Sequence, residues 1–194
     1  MMIVRGTDMT EATVVTMPRV WLEDSTTRPK AHFRNLADLR NAKLTQPQPL
    51  PANLPRIVID ITVGDVPDYF ECGPLRLMSG RLVALLSTDC RPGIDIEFIP
   101  VDVFREEKKL EYWFGHVLAQ VDCLDRERSR YTMADGMVDA IDHLEIDAGR
   151  AQGHRIFRVA KTYEYLVCVD AALSEQIKEA STGSVFVLPS EWRW

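Results

Sequence analysis

The residue types that could do chemistry in this chain are few and scattered. Cys72, His116 and Asp122 offer a thiol, an imidazole and a carboxylate, the set required for attack on a carbonyl, but their spacing follows no nucleophile motif. There is no GxSxG elbow, no glycine-rich phosphate loop and no HExxH pair. Asp122, Asp125, Asp135, Asp139 and Asp142 carry the hard oxygen ligands that Ca²⁺ or Mg²⁺ prefers, yet they lack the alternating order and closing glutamate of a calcium loop. A solvated or partner-facing acidic surface reads them better. The four histidines stand far apart, none at metal-ligand spacing from another. Cys72, Cys90, Cys123 and Cys168 include no CxxC pair, as expected of buried free thiols in a reducing compartment. No catalytic residue, cofactor or metal site is therefore expected. Trp192 and Trp194 in the terminal EWRW are of the type that anchors interfaces, or else they pack the terminus onto the domain.

Charge narrows the partner class. The 194 residues carry a formal charge of −6, unevenly divided: +3 over residues 1–56 and −9 over residues 57–194. A phosphate backbone needs clustered Lys and Arg, so direct binding to nucleic acid or to an anionic membrane is not expected of the main domain. A basic protein suits it better. The first residues show no basic start followed by an apolar stretch, and no run approaches the ~18 apolar residues of a spanning helix, so a cytoplasmic protein is expected.

The elements that must position these groups follow from periodicity. The length suits one core, read as a main domain over 57–194 and a basic segment over 1–56 that ends in a Pro-rich strap, 45–55. Thr13–Leu22 suggests a strand interrupted by Pro18, suited to an edge or a bend. Phe33, Leu36, Leu39 and Leu44 suggest a weak amphipathic helix over residues 30–44. Ile57–Val63 is a β-branched strand. Ser79 is placed to cap a helix whose stripe is Leu82, Leu85 and Leu86. A strand over 94–98 ends before Pro100, and Tyr112–Leu124 reads as one strand with His116, Gln120 and Asp122 on a wet or partner-facing side. The acidic stretch Asp135–Asp147 holds another strand from about Val138 to Ile146.

The C-terminal part is the clearest. A strand over 163–169 leads to Asp170, which can cap a helix; Leu173 and Ile177 line that helix, Gly183 ends it, and Val185–Leu188 reads as a buried strand. The fold class expected is α+β, a mixed and largely antiparallel sheet with two or three packed helices.

The order of motifs DYFECGPLRLMSGRLVALL, IEFIPVDVF, YWFGHVLAQVDCLDRERSRY, DHLEID, RIFRV and YLVCVDAALSEQIKEASTGSVF closely resembles a bacterial family of immunity proteins from polymorphic toxin systems, first catalogued as a domain of unknown function. The resemblance covers about residues 68–190. Its most specific positions are Asp122, Asp125, Ser129, Phe157, Thr182, Gly183 and Phe186, which look fold-defining. It implies a protein that binds and neutralises a cognate toxin without turning over a substrate. With the acidic bias, it makes Asp65, Asp68, Glu71, Asp135, Asp139, Asp142, Trp192 and Trp194 the candidate toxin-binding residues, against a basic, nuclease-like toxin; homo-oligomerisation is left open. Two other classes remain: an enzyme that reverses a toxin's modification, or a non-inhibitory adaptor.

Overall fold

The computed structural model describes residues 15–39, 42–163 and 165–193. Among them the chain forms β1 (Arg19–Glu23), β2 (Lys30–Phe33), β3 (Ile57–Val63), β4 (Tyr69–Cys72), β5 (Leu75–Ser79), β6 (Ile96–Arg105), β7 (Lys108–Val117), β8 (Gln120–Val121), β9 (Arg130–Ala134), β10 (Met137–His143), β11 (Ile156–Val159), β12 (Val167–Val169) and β13 (Ser184–Val187). The α-helices are α1 (Gly80–Asp89), α2 (Ala148–Ala151) and α3 (Ala171–Ala180). This is the mixed, mostly antiparallel α+β arrangement expected.

Six strands in the order β2-β3-β6-β7-β5-β4 curl into a nearly closed barrel. Its two edges approach so closely that a Cβ on Gly73, after β4, would stand 3.2 Å from the Phe33 ring on β2. Alternation decides which side chains fill it: Ile57, Ile59 and Ile61 of β3 join Leu77, Val101, Val103 and Phe114 in one core. Leu44 belongs to that core, and Leu50 and Leu54 of the Pro-rich stretch that follows pack against it. The stretch is held there by the Leu50 amide, which donates to Glu97 at 3.2 Å, and by the Gln48 carbonyl, 3.0 Å from His116 Nε2.

The second sheet, β13-β1-β12-β11-β8, is covered on both faces. Val20, Phe157, Val159 and Cys168 face one core together with Val138 and Ile141 of the separate β9–β10 hairpin and with Trp192. Trp21, Ile156, Val167 and Val169 face another, shared with Leu82 and Leu86 of α1, Leu173 and Ile177 of α3, and Tyr69 and Met78 of the barrel. The helices start where capping chemistry puts them. Ser79 Oγ accepts the Leu82 amide at 3.4 Å, and the Asp170 carboxylate accepts that of Leu173 at 2.6 Å.

Several expectations are corrected. Residues 30–44 hold strand β2 and a 3-10 turn at Leu36–Leu39, because pairing with β3 outweighs a weak helical pattern. β1 is an interior strand: Pro18 lies before its first paired residue and so removes no ladder bond. Residues 13 and 14 lie outside the described part. β6 runs on through Pro100, tolerated because its second neighbour β3 joins only at Val101.

Tyr112–Leu124 is two strands in different sheets. The chain turns at Leu118 and Ala119, whose amides both donate to the Asp95 carbonyl. His116 is accordingly fully buried and does not face solvent. The final strand β13 is a sheet edge with Val185 exposed, so of its central residues only Phe186 is buried, 5.7 Å from the Trp21 ring. Gly183 lies two residues beyond the C-cap, Ser181, rather than ending the helix.

Candidate functional site

The thiol, imidazole and carboxylate that could have formed a triad are committed elsewhere. Cys72 lies in the barrel core, and burial pushes its thiol up to about 11, away from nucleophilicity. The His116 ring, its pKa lowered by burial, meets the Gln48 carbonyl. Asp122 is ion-paired with Lys161 at 2.6 Å. All four cysteines are buried and unbridged, and among the described residues no group of His, Cys, Asp and Glu could hold a metal ion.

The candidate binding residues fall into distinct environments. Asp68 ties together three elements: it accepts from Ser79 Oγ at 2.7 Å, from the Thr182 amide and hydroxyl at 2.9 Å each, and from the Arg81 guanidinium. Burial opposes its charge, yet these donors outweigh burial and hold the carboxyl at about 2. Beside it, Gly183 has φ +87°, and a Cβ there would stand 2.0 Å from the Tyr69 carbonyl oxygen. Glu71 is half-buried and accepts from the Tyr69 hydroxyl at 2.7 Å. Asp65 is fully exposed, with Arg105 3.6 Å away. Trp192 is 4 % exposed in the core beneath the hairpin, so its ring packs the terminus rather than presenting a surface anchor; Trp194 lies outside the described residues.

Of the other positions singled out by resemblance, Asp125 and Ser129 make local hydrogen bonds and Phe157 lies in the core. Asp125 accepts the Glu127 and Arg128 amides at 3.1 Å each, and Ser129 Oγ both donates to the Glu145 carbonyl and accepts the Glu145 amide. Phe157 is fully buried.

The hairpin differs. Asp135 and Gly136, with φ 48° and 78°, make the two-residue turn that an Asp-Gly pair favours between twisted strands. Val138 and Ile141 bury the underside, and Val138 exchanges backbone hydrogen bonds of 2.9 Å with Lys161 and Tyr163, fixing the hairpin to the body. Asp135, Asp139 and Asp142 are exposed on it, and among the described residues their side chains take part in no ion pair or hydrogen bond. All three belong to the β9–β10 hairpin, whereas Asp65, Asp68 and Glu71 lie on or just before β4 of the barrel.

A second polar feature was missed by sequence reasoning. Between β1, the β4–β5 turn and the C-terminal segment lies a cleft lined by Glu23, Arg28, Glu71, Arg76, Tyr165 and Arg193. Arg76 is buried with its Cζ 4.2 Å from the Tyr165 ring centroid; Arg158, 9 % exposed, has its Cζ at 3.9 Å from the same centroid. Burial depresses the Arg158 pKa to about 10. The signal was a charge inside an apolar strand run, LRLM and IFRV, where a lone arginine is costly unless something compensates it.

Comparison with protein-family models matches residues 7–187 to the immunity protein family (Imm11). The match takes in β1 and β2 and so reaches well before the motifs that begin at residue 68. No curated protein matches.

Proposed function

Because the chain belongs to the Imm11 immunity protein family, we propose that it protects the cell that makes it by binding a cognate toxin domain one to one and covering that toxin's active site, with no substrate turned over. Toxin immunity is the role the family suggests. The observation that supports the binding mode is the β9–β10 hairpin, whose Asp135, Asp139 and Asp142 are exposed and, among the described residues, unpaired. Carboxylates already neutralised by internal arginines contribute little field, whereas these three leave a net negative potential on the hairpin surface. Such a potential speeds encounter with a basic partner and can occupy a cleft built for phosphate. The partner we propose is therefore a basic toxin domain of nuclease type, met in the cytosol.

Nucleic acid and membrane are not proposed as direct partners. No helix among the described residues is long and apolar enough to cross a membrane. Titrating the protein against its toxin's activity tests the mechanism. Protection complete near one equivalent is expected; rescue far below one equivalent would instead mean an enzyme that reverses the toxin's modification.

A further inference from the structure

We infer that the cleft between β1, the β4–β5 turn and the C-terminal segment binds a small organic monocarboxylate. The cleft encloses about 460 Å³, within the range of small-molecule sites. Leu22, Pro74, Leu166 and Trp192 give it apolar walls, while Arg28, Arg76 and Arg193 face Glu23 and Glu71, leaving one positive charge over.

The pairing inside the cleft is incomplete. Arg28 meets Glu23 at 2.9 Å, but Arg76 Nε is 3.6 Å from Glu71, beyond hydrogen-bond range, and is buried with no hydrogen-bond partner. Arg193 is exposed, and its Nη1 donates to the carbonyls of Ser190 and Trp192. Behind Tyr165, Arg158 is nine-tenths buried, its Nη1 has no hydrogen-bond partner, and no carboxylate among the described residues pairs with it. A buried guanidinium without an anion is strongly unfavourable, and the face of an aromatic ring offsets it only in part. Arg76 Nη2 donates to the Tyr165 carbonyl at 2.7 Å, which leaves its charge balanced only by Glu71; an anion in the cleft would lower the potential at Arg76 and, behind the Tyr165 ring, at Arg158.

The anion's type follows from the same groups. A guanidinium fork fits carboxylate and phosphate alike. The two resident glutamates, however, leave charge for one negative group and repel a dianion, and the apolar walls call for a hydrocarbon body. That combination is a monocarboxylate on an aromatic or aliphatic frame.

Calorimetry and thermal unfolding of the full chain, at fixed pH and ionic strength, test this with sodium benzoate, neutral benzamide and inorganic phosphate. Benzoate should bind saturably and raise the midpoint, benzamide should do neither, and phosphate should be weaker than benzoate. Arg193→Gln, an exposed change, should weaken benzoate about tenfold, as loss of a charged hydrogen bond does. Arg158→Met should weaken the benzoate response, because it removes a cation just behind the cleft wall, while leaving the ligand-free midpoint unchanged or higher; tighter benzoate binding by this variant would overturn the assignment. Equal binding of benzamide, tighter binding of phosphate, no saturable benzoate binding, or an Arg193→Gln variant that binds like the parent would each overturn the assignment. The toxin takes no part in these measurements, so their failure leaves the proposed immunity mechanism standing.

Discussion

Aspartate is used in opposite ways at the Asp68 junction and on the β9–β10 hairpin. Asp68 sits in an acid-rich turn, yet its carboxylate is surrounded by donors from Ser79, Arg81 and Thr182. Asp135, Asp139 and Asp142 also sit in an acidic stretch, and among the described residues no donor reaches them. The local composition is similar; the difference is whether the fold delivers amides and cations from distant elements. A carboxylate so surrounded stabilises the fold, and one left bare remains available to a partner.

The largest effect expected comes from the junction's backbone. Gly183→Ala puts a Cβ against the Tyr69 carbonyl at positive φ and should lose more than about 3 kcal/mol in urea unfolding. A loss below about 1 kcal/mol would show the junction to be pliant.

Asp68→Asn should cost about 2 kcal/mol at pH 7, the worth of holding a carboxyl near 2 instead of its ordinary value near 4. Because the folded-state value is depressed, the contribution is complete above about pH 4 and is lost as the pH falls through about 2. The stability gap between parent and variant should therefore close over that interval; a gap independent of pH would mean that packing, not charge, dominates.

On the hairpin, the joint change Asp135→Asn, Asp139→Asn and Asp142→Asn should leave stability within about 0.5 kcal/mol. It should slow toxin association about tenfold at low salt, a difference that fades as the Debye length shrinks from ~10 Å at 0.1 M. Stopped-flow association across a salt series separates this from lost contacts, which appear in dissociation. Smallest is Asp139→Asn alone, expected to change association less than about threefold. If that one change abolished binding, Asp139 would be a contact residue and the steering argument would fail.

What could be read from the sequence was local. Ser79 and Asp170 announced their helices because a cap acts on amides two or three residues on. The β-branched run Ile57–Val63 announced β3, and an acidic strand after Val138 was foreseen close to where β10 lies. What failed was decided at long range. Residues 30–33 became a strand because β3 lies beside them, and His116 is buried because the chain leaves one sheet for another just after it. Asp68 was grouped with surface acids because Thr182, 114 residues away, is invisible from its neighbourhood. Arg76 and Arg158 stand in plain view inside apolar runs, but their meeting at Tyr165 depends on two separate strands, β5 and β11, and on the segment that leads into β12.

The interior position of β1 has a consequence for timing. Its neighbours in the sheet are β12 and β13, and the Trp21 indole bonds to Ser184, 163 residues further on. A ribosome adding roughly 5–20 residues per second needs on the order of ten seconds to cover that distance, and the five-stranded sheet cannot close before it does. Contacts of such high sequence separation also slow folding itself. A cell that relies on this chain would therefore have to begin making it ahead of whatever it guards against, since a nascent copy lacks the sheet on which the hairpin rests.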